Sequence, residues 1–151
     1  MTENPPAFRP RSEYTSAFLL LRLFLGLRTL FAGIEKFEGK GSYSFANYSE
    51  NMGRMAQGIT GASFLPLWAT RSFALSLGFL LTLLGLALLL GLKTRCTLVL
   101  TGLVYASLAF GLMAVQESEG VTLLATHIGL IAGALVLVRH NRFALLPDKA
   151  D

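Results

Sequence analysis

Cysteine and charge are both scarce in this sequence. Cys96 is the only cysteine in 151 residues, which excludes a disulfide-stapled scaffold and leaves no thiol pair for thiol–disulfide exchange. The two histidines, His127 and His140, are expected in the outer part of the last helix and just beyond its inner end. They therefore lack the matched depth that a haem held between helices requires. No Cys, His and carboxylate set has metal-ligand spacing, and no nucleophile elbow or P-loop occurs. Charged residues make up 15% of the chain, against ~25% in a typical soluble domain, so the surface cannot be mostly water-facing. A hydrophobic content of 53% and a mean hydropathy of +0.57 exclude disorder. The net charge of +4 comes without an aromatic-interleaved basic stripe, so nucleic acid is not an expected partner. The composition is that of an integral membrane protein, with the lipid bilayer as its first partner.

A transmembrane helix needs ~20 mostly apolar residues to cross a ~30 Å core. No charge falls between Arg71 and Lys93, between Arg95 and Glu117, or between Glu119 and Arg139. An earlier run, from Tyr14 to Phe37, is apolar in outline but carries Arg22, Arg28, Glu35 and Lys36. These runs predict an all-α, four-helix integral membrane bundle with spans 15–37, 69–92, 96–116 and 121–139. The bundle occupies residues 15–142, between an N-terminal tail (1–14) and a C-terminal tail (143–151). Arg22 and Arg28 interrupt the first run and no small-x-small site follows it, so a cleaved signal peptide is not expected. The N-terminal, second-turn and C-terminal segments hold Arg9, Arg11, Lys93, Arg95, Arg139, Arg142 and Lys149, against Lys36, Lys40, Arg54 and Arg71 on the opposite side. The positive-inside bias puts both termini in the cytoplasm.

The long connection, 38–68, contains Phe45, Tyr48, Met52, Met55 and Ile59 in a helical rhythm. It reads as a short interfacial helix in the first outer loop, packed as a lid, with Trp68 as an interface anchor and Met52 and Met55 as contacts for a partner. In lipid the hydrophobic effect pairs helices weakly, so small residues must let backbones approach. Gly26 and Gly33, then Gly78, Thr82 and Gly85, then Gly102 and Ala106, and the G-x-x-x-G of Gly129 and Gly133 supply them.

At 100° per residue, Arg22, Gly26, Thr29, Gly33 and Lys36 fall on one stripe of the first helix. Arg22 and Lys36 lie near opposite ends, from which a long side chain can reach headgroups. Arg28 lies near the bilayer midpoint, where a charge costs ~2.5–3.5 kcal/mol even on the lenient insertion scale. Glu35 is ~10 Å further along the axis, so a direct pair looks strained. Tyr105 or another side chain in the bundle, a partner subunit or a bound headgroup is expected to satisfy the guanidinium instead. If Tyr105 and Gln116 of the third helix and His127 of the fourth face inward, the outer half gathers Lys36, Glu35, Gln116 and His127 near one level. Such donors suit a quinone carbonyl, and a neutral imidazole can also shuttle a proton. A lone membrane histidine more often bonds a neighbouring helix.

Two runs carry a family resemblance. Leu21-Arg22-Leu23, Leu25-Gly26-Leu27 and Phe31-Ala32-Gly33-Ile34-Glu35-Lys36-Phe37 resemble the first-helix signature of the DoxX/DoxD family of small four-span bacterial membrane proteins. Leu84-Gly85-Leu86-Ala87-Leu88-Leu89-Leu90-Gly91-Leu92-Lys93-Thr94-Arg95 is similar to that family's glycine-punctuated second helix. The resemblance implies a bacterial inner-membrane bundle associated with redox enzymes, DoxD-type members being the small membrane subunit of a thiosulfate:quinone oxidoreductase. Arg22 and Lys36 match the family pattern. Many members carry a glutamate about a turn before the glycine run of the second helix, where this chain has Leu81-Thr82. The expected role is a non-catalytic or co-catalytic subunit that anchors membrane or periplasmic redox partners. Its cofactor would be quinone, held at Arg28, Lys36, Tyr105, Gln116 and His127, with none covalently bound. The contacts that support it would be Arg22, Glu35, Met52, Met55, Gly129 and Gly133. A purely structural scaffold subunit is the alternative, and a small-solute transporter is weaker because no inverted repeat or broken helix is evident.

Overall fold

The computed structural model describes residues 12–146, so most of each expected tail, including Arg9, Arg11 and Lys149, lies outside the described residues. Five helices follow in order: α1 (Ser12–Ile34), α2 (Phe45–Ala62), α3 (Leu67–Leu90), α4 (Thr94–Ala114) and α5 (Ser118–Leu137). Four of them, all but α2, are long and apolar enough to cross a membrane. The chain is a multi-pass membrane protein built as an all-α four-helix bundle.

Around the bundle α1 neighbours α3, α3 neighbours α4, α4 neighbours α5, and α5 returns to α1. The α1–α3 interface is the most extensive, and glycine explains why. A Cβ at Gly33 would come within 2.8 Å of the Gly78 carbonyl oxygen, and one at Gly85 within 2.6 Å of the Leu30 Cα. The two backbones therefore touch directly, the close approach that small residues permit in lipid. The stripe read from the sequence is the buried face of α1: Phe18, Arg22, Leu25, Gly26, Thr29 and Gly33 all face inward. Leu77, Leu81, Leu88 and Leu98 complete the core from α3 and α4.

The G-x-x-x-G of α5 behaves differently. A Cβ at Gly129 or Gly133 would meet nothing within 4 Å, so this pair does not pack the bundle and faces outward. α5 buries His127, Ile131 and Ala134 instead, a face turned away from the two glycines by the helical repeat.

The connection after α1 runs through a 3-10 turn (Glu35–Phe37) into a two-residue hairpin, β1 (Glu38–Gly39) with β2 (Ser42–Tyr43). Lys40 (φ 54°) and Gly41 (φ 78°) both adopt the left-handed region, as a type I′ turn requires. Ser44 caps α2 by accepting the Asn47 amide at 3.0 Å. α2 then lies across that end of the bundle, burying Tyr48, Met52, Ala56 and Ile59 with α3 as its principal neighbour. The Tyr48 hydroxyl donates to the Leu75 carbonyl at 2.5 Å and accepts the Gly78 amide at 3.2 Å. Burial raises the phenol above its ordinary pKa range, partly offset by that amide. Met52 is thus 2% exposed and holds the lid down, so it is not the partner contact expected from the sequence. Met55 is half-buried beside it.

At the opposite end the chain closes on itself. Gly91 (φ 70°) ends α3 in the left-handed region, and the Leu92 amide reaches the Ala87 carbonyl at 2.9 Å in a Schellman-type stop. Residues 141–146 pass across this turn as a strap. The Leu145 and Leu146 amides donate to the carbonyls of Leu90 and Gly91, and the Lys93 amide donates to the Leu146 carbonyl at 2.9 Å.

Replacing Gly33 or Gly85 by Leu forces side chain into backbone and should cost at least ~3 kcal/mol, the upper range of overpacking. The same change at Gly129 should cost almost nothing. Loss of helical circular dichroism on heating in detergent separates the two outcomes.

Candidate functional site

Arg22 does not reach toward headgroups as the sequence suggested. It is 4% exposed, and its Nη1 donates to Asn141 Oδ1 at 2.7 Å and to the Phe143 carbonyl at 2.8 Å. Asn141 in turn donates to Thr94 Oγ1 at 2.7 Å. The strap thus roofs the arginine and links α1 to the start of α4. The signal was present as a polar Asn141 after the last apolar run, yet nothing periodic in 141–146 predicts a fold-back. Among the described residues the Nε of Arg22 has no hydrogen-bond partner, so the strap's two acceptors carry the compensation for the buried charge.

Arg28 is paired within the chain. Its Nη1 lies 3.7 Å from Glu35 Oε2, with the side chains 36% and 61% exposed. Seven residues are almost two full turns, so both groups stand on one face, and the long arginine stem and the glutamate together bridge the gap judged strained from helical rise. The contact is longer than a hydrogen bond, and the guanidinium donates no hydrogen bond among the described residues. The α1 neighbours Phe24, Leu27 and Phe31 are about half exposed. Arg28 therefore sits on an apolar outer face with its charge partly balanced and its donors free.

The inner residues form a separate group. Tyr105 Oη and Thr29 Oγ1 lie 3.0 Å apart, a bond across the diagonal of the bundle between α1 and α4. His127 packs against the Tyr105 ring at 5.6 Å and stacks on Phe24 at 6.2 Å. Its Nδ1 is 2.7 Å from the Leu123 carbonyl, so Nδ1 carries the proton and Nε2 is an acceptor in the neutral ring. This bond runs back along its own helix. Phe24 precedes Lys36 by twelve residues, ~18 Å along α1, so His127 lies well below Lys36 and not level with it. Gln116 falls in neither group: α4 ends at Ala114, and Gln116 (φ 59°) occupies an exposed left-handed turn.

Of the five expected quinone ligands, the structure brings Tyr105 and His127 together, sets Arg28 on the outer face, and leaves Gln116 apart. Lys36 lines an open cavity of about 520 Å³ with Glu35, Glu38, Asn51, Arg54 and Met55. None of the described cavities is lined by Arg28, Tyr105 or His127. The five residues thus do not share one of the described cavities.

Removing Asn141 strips one acceptor from a buried charge, so Asn141→Ala should lower stability by ~1.5–3 kcal/mol, whereas Asn141→Asp should hold or raise it. Tyr105→Phe and Thr29→Val should each cost ~0.6–1.7 kcal/mol, the range of hydrogen bonds between membrane helices. The double variant should cost no more than either alone beyond its methyl and hydroxyl packing. Unfolding in detergent, read as a double-mutant cycle, tests the pair.

Compared with protein-family models, with curated proteins and with solved structures, the chain finds no match in any of the three.

Proposed function

We propose that this chain is a small membrane subunit of a bacterial respiratory redox complex, of the kind its DoxX/DoxD resemblance implies, with both termini cytoplasmic in the inner membrane. Its task is to hold a membrane or periplasmic redox partner, and the face of α1 around Arg28 is where the partner docks. One observation carries this reading: a guanidinium inside a transmembrane span, more than a third exposed, with its nearest carboxylate at 3.7 Å. Left against lipid, such a group costs ~2.5–3.5 kcal/mol at the helix centre. A partner helix that supplies acceptors converts that cost into specificity, because only a matching helix relieves it. Quinone, in this reading, meets the complex at the junction of Arg28 with the partner, since Tyr105 and His127 already bond within the chain.

That internal satisfaction also favours a second reading. A scaffold subunit with no ligand of its own needs Tyr105 and His127 only as packing groups, and His127→Ala would then leave electron transfer unchanged.

Purification of the native assembly through a tag on this chain tests the proposal. A redox subunit should co-purify with the wild type. Arg28→Leu should reduce that subunit about tenfold, equivalent to ~1.4 kcal/mol, while the variant's level in the membrane stays equal or rises. A chain that elutes alone, or an Arg28→Leu complex recovered in full, overturns the reading.

A further inference from the structure

Three cavities lie in line beneath α2, and their polarity changes along the line. The first is the open, charged cleft at Lys36. It shares Met55 with a cavity of about 220 Å³ between α2 and α4, walled by Gly58 and Leu112. That cavity shares Ile59 and Gly111 with a third of about 440 Å³, bounded by Phe73, Ala106 and Phe110. From Asn51 to Ile59 the line follows α2 for ~12 Å, with Met55 common to the first two cavities and Ile59 and Gly111 common to the last two.

The two ends ask for different chemistry. In the third cavity the only hydroxyls, Thr70 and Ser107, are already committed to the carbonyls of Leu67 (3.1 Å) and Leu103 (2.9 Å), which leaves a lining suited to a hydrocarbon chain. The first cavity presents two cations, Lys36 and Arg54, and two anions, Glu35 and Glu38. Arg54 already donates to Asn51 Oδ1 at 2.8 Å, and Glu38 Oε1 accepts the Gly41 amide at 2.9 Å. The Lys36 ammonium donates no hydrogen bond among the described residues, so it is the group there that most needs an anion. Lys36 lies past the end of α1 on the 3-10 turn, at the edge of the span that closes at Phe37, which puts this end at headgroup level.

We propose that this groove binds one phospholipid whose headgroup carries both a phosphate and a primary ammonium, such as phosphatidylethanolamine. The phosphate lies on Lys36 and Arg54, the ammonium on the Glu38 and Glu35 carboxylates, and an acyl chain passes Met55 and Gly58 into the Phe110 cavity. An anionic headgroup without the ammonium leaves both carboxylates facing its phosphate. A quinone head offers neither charge. Glu35 also pairs with Arg28, so the two readings share that carboxylate, but a retained lipid and a co-purified redox subunit are separate readouts that tell their failures apart.

The test is native mass spectrometry of the full chain, reconstituted in bilayers of equimolar phosphatidylethanolamine and phosphatidylglycerol and released in mild detergent. One phosphatidylethanolamine should stay bound per chain, at about tenfold over phosphatidylglycerol, the ratio one charge-assisted contact supplies. Gly58→Leu plugs the groove at a position where a Cβ meets nothing within 4 Å, so it should fold with wild-type stability and lose the adduct, as should Lys36→Ala. No retained lipid, equal retention of the two lipids, or an adduct that survives Gly58→Leu overturns the proposal. A quinone recovered in place of phospholipid from chains purified out of native membranes overturns it too.

Discussion

Backbone contact between α1 and α3 is the constraint on which the rest of this molecule depends. Lipid is as apolar as leucine, so helices in a bilayer gain little by hiding side chains from their solvent. What holds them is short-range dispersion and hydrogen bonding, both of which fall steeply with separation. Gly33 and Gly85 bring the α1 and α3 backbones together at two levels, and the consequences spread from there. With α1 seated on α3, Thr29 reaches the diagonal helix and bonds Tyr105. Gly78, on the same stretch of α3, also receives the Tyr48 ring and its hydroxyl, so the lid is registered against the same interface.

A similar economy governs the terminal end. A buried guanidinium is costly unless its donors find acceptors, and Arg22 finds them on a segment that is not part of any helix. The strap gains fixed position from the arginine, and the arginine gains two oxygens from the strap. Gly91 makes this possible, because a Cβ there would fall within 2.8 Å of both Ala144 Cα and Arg22 Nη1. One glycine thus serves as the helix stop and as the space under the strap.

Much of this was legible from residue order. Three charge-free runs and one apolar run carrying four charges located the four spans to within a few residues, and the 100° projection of α1 picked out Arg22, Gly26, Thr29 and Gly33 as one buried face. The amphipathic rhythm of 45–59 showed the lid. Periodicity failed where it does not encode direction or depth. The G-x-x-x-G of α5 has the spacing of a packing motif, but spacing does not say whether a face meets a helix or lipid, and here it meets nothing among the described residues. Depth went wrong at His127 because Lys36 sits beyond the end of α1, on a 3-10 turn, while α5 carries its histidine down to Phe24. The apolar run 96–116 ends on Gln116, yet the left-handed backbone of Gln116 takes it out of α4. Arg28 and Glu35 were separated by counting rise alone, which neglects the length of two extended side chains. The strap had no periodic signal at all.

These corrections move the seat of function outward. A ligand site inside a helical bundle needs polar groups with unspent hydrogen-bonding capacity, since a group already paired must break one bond to make another. Tyr105 and Arg22 are committed to partners in the chain, and His127 spends its ring proton on its own helix, so the core behaves as a structural unit. Among the described residues, capacity remains at the Arg28 guanidinium on the α1 face and at the Lys36 ammonium under the lid. Arg28 stands on α1 itself and Lys36 on the 3-10 turn that follows it, about eight residues and ~12 Å further along the chain. A partner helix suits the first, because it lies along the span among exposed aromatic rings. A headgroup suits the second, because it opens at the membrane surface beside carboxylates. Seen this way, α1 is at once the packing spine of the bundle and the element that presents its charges to whatever surrounds it.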